Sequence, residues 1–463
     1  FKLREGIMFH DGTPFNAEAA VYNLQAAGTG LLIANALKDV GRNPDKSLAI
    51  EATGEYTFTV KTGFNGDLSQ PLPWENLPQY MAGQWGLMAS PAWLEAVKAD
   101  SSLATQPVGT GPFKFVSYAP RDALVVERNP DYWLSDENGN QLPYLDRITY
   151  RVIEDPEIAG DALESGEIDI FSTSSALVTA DFREKADEFP MVEQDELTET
   201  NYILIDIFKG GPYGDRRARC ALSMAIDRQE LNDVISAGIL QIANGLFSPG
   251  QEGYLEDNGF DPAQDLEGAQ ALLDEYLAET GQDSLTVNYG TITSQITAQT
   301  AELLQGYWAQ IGVDTEIQQV PQDQFITNAL FGVDTFFMYG WRNHAGTTVD
   351  RQYFWWHSSA GPPDGELALN FGRINDPEVD RLLEAARTAP TKEERTAFAE
   401  DLNRHMAEQC YQIPTTWTLW GTPHIPELQG LDRGFQLPDG SRSRNGAGFS
   451  GQFWVQGLFL AEG

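Results

Sequence analysis

The chain has 463 residues, with 30 Lys+Arg against 68 Asp+Glu, a formal net charge of −38 and a pI near 4.3. That length is two to three domains' worth, and a field of that sign repels phosphate backbones and anionic headgroups, which argues against nucleic acid and polybasic membrane anchoring. With 41% hydrophobic and 11% aromatic residues there is ample material for a packed core, so the acidity does not signal disorder. Only 9 of the basic residues are Lys; such usage suits a solvated surface in salty water, and ordinary solubility explains it equally well. No stretch approaches the ~18 apolar residues of a membrane span. The chain opens at Phe1 in a strand-like run, so we expect any targeting segment to lie outside it.

In chain order, Ala17 to Ala27 has helical spacing and Glu55 to Lys61 alternates as a strand. A Pro/Trp-rich stretch from Pro71 to Pro91 reads as irregular. After Gly109-Thr110-Gly111-Pro112, the runs Phe113 to Tyr118 and Ala123 to Arg128 form a hairpin about the turn at Ala119-Pro120-Arg121-Asp122. Ile148 to Ile153 reads as a strand, Pro156 to Glu164 as a helix with Pro in its first turn, and Ile168 to Phe171 as a buried strand. Tyr202 to Phe208 is another apolar strand. Past Lys209-Gly210-Gly211-Pro212, the spacing predicts one helix from Arg216 to Ala237, closed by Gly238. Leu285 to Tyr289, Ser294 to Ile311, Thr315 to Val320, Gln322 to Leu330 and Thr335 to Tyr339 then alternate β-α-β-α-β, which implies parallel strands and right-handed crossovers. Helices at Asp376 to Arg387 and Thr391 to Gln409 precede a strand at Thr415 to Trp420.

Ligands of open parallel sheets bind beyond the carboxyl ends of the strands. The segment Gly340-Trp341-Arg342-Asn343-His344 follows the last strand of that unit, so it is the first candidate site. Tests for catalysis find little. There is no G-x-S-x-G elbow, no S-x-x-K pair, no H-E-x-x-H and no C-x-x-C. The five histidines never fall at metal-ligand spacing, and no cofactor is expected. Asp136-Glu137-Asn138-Gly139-Asn140 resembles a calcium loop only faintly, with Arg147 where the bidentate acid belongs. What remains is concave recognition. Several of the 11 Trp residues (Trp74, Trp85, Trp93, Trp341, Trp355, Trp356) stand outside periodic core runs, and each is either packing or ligand-cleft surface. Cys220 and Cys410 could form one bridge or sit as two buried thiols.

One ordered set of motifs resembles a known family. Phe1-Lys2-Leu3-Arg4-Glu5-Gly6-Ile7-Met8-Phe9-His10-Asp11-Gly12 resembles the opening signature of family 5 extracellular solute-binding proteins, the dipeptide-, oligopeptide- and nickel-binding class that serves ABC importers. Pro107 to Phe113, Asn129-Pro130-Asp131-Tyr132-Trp133, Leu163 to Asp169, Asp215 to Arg228, Ile311-Gly312-Val313 and Asp376 to Asp380 are similar to later motifs, in the family's order. The resemblance implies an α/β fold of the periplasmic-binding-protein kind (type II, cluster C): a two-lobed clamp of three domains with mixed sheets, N-terminally incomplete here. The expected division is 1–108 for the small domain II, 109–210 plus 439–463 for domain I, and 211–438 for domain III. It implies a monomeric, non-enzymatic binder that is periplasmic or cell-surface, lipid-anchored or not, and hands a peptide-like solute to an ABC permease. An oligosaccharide, glycoside or metal chelate is the alternative cargo, and a small-molecule hydrolase the remote one. Gly340, Trp341, Arg342, Asn343, His344, Trp355 and Trp356 are the expected ligand-binding residues. Peptide binders of this family place an Asp for the ligand's ammonium where this chain has His344, and Asp350 is the nearest acid downstream. Arg342 hints at an anionic or carbonyl-bearing ligand, with a surface-facing guanidinium as the alternative.

Overall fold

The computed structural model describes residues 1–28, 37–72, 74, 77–333, 337–343, 348–431 and 451–461. Its strands in chain order are β1 (Ile50–Gly54), β2 (Thr57–Val60), β3 (Phe113–Ala119), β4 (Ala123–Arg128), β5 (Arg147–Arg151), β6 (Met191–Gln194), β7 (Thr200–Ile205), β8 (Leu285–Ile292), β9 (Val313–Val320), β10 (Met338–Asn343), β11 (Gln412–Trp417), β12 (Trp420–Pro423), β13 (Leu428–Gln429) and β14 (Phe459–Leu460).

The largest sheet has the order β11-β7-β10-β8-β9. Strands β10, β8 and β9 run parallel, as the β-α-β-α-β pattern predicts, and β7 and β11 join antiparallel. One face of this sheet buries Val287, Tyr289 and Met338 with Leu304, Trp308 and Ala221. The other buries Tyr202, Leu204 and Tyr339 with Phe325, Leu382 and Leu402. Both faces of the second lobe are thus covered by helices, the arrangement parallel strands require.

Its membership departs from the expected domain limits. β7 lies within 109–210, yet it hydrogen-bonds between β10 and β11. β12 and β13 lie within 211–438, yet they pair with β6 and β14 in the first lobe. An apolar run such as Tyr202–Ile205 announces a buried strand without naming its neighbours. The chain therefore crosses between lobes twice, at 195–199 and at 418–419, and we refer to these two crossings as the hinge. The predicted strand Thr415 to Trp420 straddles the second crossing and is in fact two strands, β11 and β12.

Two further differences are local. The predicted helix Arg216 to Ala237 is two helices, Arg216–Met224 and Arg228–Ser236, because Asp227 turns extended and its carboxylate caps the Glu230 N–H. Ile168 to Phe171 forms only an isolated bridge, Ile170 to His424.

The motifs that carry the resemblance act as structural joints. His10 Nε2 and Asn129 Nδ2 both reach the Gly111 carbonyl, at 3.0 and 3.1 Å, and the Asp11 carboxylate accepts from Ser90 Oγ at 2.5 Å. The first hundred residues are thereby tied to the β3-β4-β5 sheet. In the second lobe, buried Arg219 donates to the carbonyls of Tyr213 and Gln409, and Arg228 to those of Ser223 and Pro414. Burial lowers both guanidinium pKa values, to about 10 and about 9. Beside them Cys220 and Cys410 form a disulfide with Cα atoms 5.4 Å apart.

Candidate functional site

β10 is the strand from which the candidate site is built; it runs beyond the expected Thr335 to Tyr339, of which Thr335 and Phe336 lie outside the described residues. It runs to Asn343, so Gly340, Trp341, Arg342 and Asn343 are strand residues paired with Ile203, Tyr202, Asn201 and Thr200 of β7. Their backbone is paired on the β7 side along its whole length. β10 pairs with β8 through Met338 and Tyr339 alone. In an antiparallel ladder alternate residues turn their N–H and C=O groups away from the partner, so beyond Tyr339 this edge has no paired strand among the described residues. Gly340 is exposed there, and its backbone is hydrogen-bonded to the Tyr289 hydroxyl, whose pKa burial raises.

Side chains alternate across the strand. Trp341 turns to the helix-covered face with Tyr339. Its ring stacks on Phe325 (centroids 5.8 Å, interplanar 7°) and meets Phe371 edge-on at 4.9 Å. Trp355 also meets Phe371 edge-on, at 5.3 Å. Both indoles are half-buried, and both Nε1 donors are shielded without a hydrogen-bond partner among the described residues. Such a donor costs about 1–3 kcal/mol until something accepts from it. Trp356 differs: it is 1% exposed, its Nε1 donates to Gln352 Oε1 at 2.8 Å, and it packs on Tyr202 in the core. Of the other singled-out indoles, Trp74 and Trp85 are also buried, and Trp85 donates to the Leu24 carbonyl at 2.9 Å.

Arg342 lies on the opposite face, where it is half-buried. Its Nε donates to Asn201 Oδ1 and its NH1 to Ser174 Oγ of the first lobe, both at 3.1 Å, and its guanidinium lies 5.8 Å from the Trp420 ring. Burial lowers its pKa, while the charge of Glu199 opposes that shift. Glu199 is fully buried in the hinge and accepts from Trp420 Nε1 at 2.8 Å. Arg342 therefore spans the hinge. Asn343 is buried, with its amide near the Leu246 carbonyl and Gln352. His344 lies outside the described residues.

Asp350, the acid that follows, is already engaged: Trp74 Nε1 donates to it at 2.9 Å and Arg387 Nε lies 3.1 Å away. Sequence reasoning missed these contacts, along with Phe325 and Phe371. Nothing in the spacing signals them, since the partners come from distant elements. Among the described residues no group of three His, Cys, Asp or Glu side chains is placed to hold a metal, and no helix is long and apolar enough to cross a membrane.

Residues 1–365 match the model of the bacterial extracellular solute-binding proteins, family 5. The chain is 24% identical over 435 residues to the probable di/tripeptide-binding protein 5 of Pseudomonas aeruginosa (strain UCBPP-PA14), covering 89% of this chain and 77% of that protein. It is 25% identical to the glutathione-binding protein GsiB of Shigella dysenteriae serotype 1 (strain Sd197), covering 95% of this chain and 82% of that one. Among solved structures, the periplasmic binding protein DppA from Helicobacter pylori in complex with peptide STSA superposes with a TM-score of 0.80 at 18% identity, over 100% of this chain and 86% of that one. With the family model matched over most of its length and the fold shared, the chain belongs to the bacterial extracellular solute-binding proteins of family 5.

Proposed function

We propose that this protein captures an extended, peptide-like solute between its lobes, outside the cytoplasm, and presents it as a monomer to an ABC permease without making or breaking a bond. The observation that carries the reading is the edge of β10 from Trp341 to Asn343, which among the described residues has no strand paired on the β8 side and is flanked by the Trp341–Phe371–Trp355 aromatic group beside the hinge. An open strand edge offers alternating donors and acceptors to an extended chain, which gives affinity with loose side-chain selectivity. The two unpartnered indole donors favour a ligand rich in carbonyl oxygens. The di/tripeptide- and glutathione-binding names of the relatives agree with this.

The recognition of the ligand's ends differs from that of a standard peptide binder. His344 stands where the ammonium-pairing Asp is expected, and Asp350 is held by Arg387 and Trp74. The solute should therefore not depend on a free amino terminus. Calorimetry with tri-alanine, N-acetyl-tri-alanine and glutathione tests this. Acetylation should leave the affinity within about threefold, and His344→Asp should favour the free amine. Tight binding of the free amine that is lost on acetylation would overturn it.

A further inference from the structure

Besides the hinge, a second contact joins the first hundred residues to the second lobe. Arg387, in the last turn of the helix Pro377–Thr388, reaches across to Asp39 Oδ2 at 2.5 Å while its Nε faces Asp350 Oδ1 at 3.1 Å. Trp74 of the N-terminal region donates to the other oxygen of Asp350 at 2.9 Å, and Asp39 receives the Asn65 N–H at 2.8 Å. The Tyr353 ring lies against Arg387 at 4.0 Å and Lys38 at 3.7 Å, and Lys38 Nζ donates to Ser359 Oγ at 3.1 Å. Asp39 is 0% exposed, Asp350 2% and Arg387 7%.

Two acids and one guanidinium, split between halves of the molecule, are here removed from water together, with Lys38 half-buried at the rim. Charges buried this way are tolerated only when each finds its partner. When the lobes part, each group rehydrates. When they meet, one missing member leaves a charge buried without compensation. We infer that Asp39, Arg387 and Asp350, with Trp74 and Lys38, form a clasp that holds the lobes together before any solute is bound, and so sets how much of the capture energy is spent on closure. It rests on the two-lobed binding reading. The contact is made by residues up to 348 positions apart in sequence (Asp39 and Arg387), and it requires no ligand atom.

The test reads the lobes directly. Spin labels go on Cys introduced at Ile158 and Ile296, which are exposed at 58% and 38% on helices of the first and second lobe. Pulsed electron resonance on solute-free protein should give mainly the short distance in the parent. Asp39→Asn and Arg387→Met should each lower the short-to-long ratio at least tenfold, and the double variant should fall short of the product of the two effects, because they share one interaction. Should either single variant fail to fold, Lys38→Met at the rim should still lower the ratio, by a smaller factor. A mainly long distance in the parent, unchanged distributions in the variants, or fully independent effects would each overturn the clasp. Because no solute enters the measurement, its failure leaves the capture proposal standing, and a failure to bind peptides leaves the clasp standing.

Discussion

Replacing Trp341 by Phe separates packing from recognition at the centre of the site. The Phe ring can keep the stack on Phe325 and the edge contact with Phe371, at centroid distances of 5.8 and 4.9 Å in the native protein. It loses the Nε1 donor, which has no partner among the described residues. An unsatisfied buried donor costs about 1–3 kcal/mol, so the solute-free variant should be at least as stable as wild type by urea unfolding. In the complex the lost hydrogen bond is worth about 0.5–1.5 kcal/mol, or roughly two- to tenfold in Kd. Trp341→Ala also gives up the aromatic contacts and should lose about 3 kcal/mol of stability. Its affinity for every solute should fall further, since contact area goes whatever the ligand's charge. Calorimetry with N-acetyl-tri-alanine, paired with urea titrations, supplies both numbers. If Trp341→Phe binds as tightly as wild type, the indole N–H meets no ligand acceptor and the argument for a carbonyl-rich solute fails.

Three other outcomes follow from the second lobe. Cys220→Ser releases a bridge spanning 190 residues; the chain-entropy model puts the loss near 5 kcal/mol, and guanidinium unfolding of the variant should match wild type treated with reductant. Arg228→Met strands the carbonyls of Ser223 and Pro414 in the core, for a loss of about 3–5 kcal/mol in urea. The Asp206 carboxyl is pushed up to about 6 by burial, with Arg373 opposing and Asp364 adding to the shift. A raised carboxyl pKa means the native state holds the extra proton, so this contribution to stability is present at pH 4 and lost as pH rises through 6. Asp206→Asn removes that term, and thermal melts at pH 4, 5, 6 and 7 should show the variant gaining on wild type as pH rises; a constant difference would refute the assignment.

How much was legible beforehand depended on how local the signal was. The parallel unit around β8 and β9 could be read from its periodicity and from the stop at Gly312, which sits at φ +76°. The break between Met224 and Arg228 could not, because Ala225-Ile226-Asp227 contains no Gly or Pro and only the capping carboxylate marks it. Trp355 and Trp356 look equivalent in sequence. On one helical turn they point apart, so Trp355 stays half-buried beside Phe371 while Trp356 enters the core. Arg342 could be read as ligand-facing or surface-facing, and nothing local in the sequence announces its hydrogen bonds to Asn201 of β7 and Ser174, which are distant in the chain. The Asp39–Arg387–Asp350 cluster has no sequence signature, since Asp39 comes from a distant part of the chain and meets the other two only across the lobes.

The central claim, that a peptide-like solute is held intact between the lobes, is met most directly by native mass spectrometry of the protein as purified, followed by release and sequencing of whatever it carries. The account predicts a discrete adduct of small-peptide mass that is released unchanged and rebinds stoichiometrically to stripped protein. Conversion of a supplied peptide to cleaved products, or an adduct with no peptide bond at all, would contradict it.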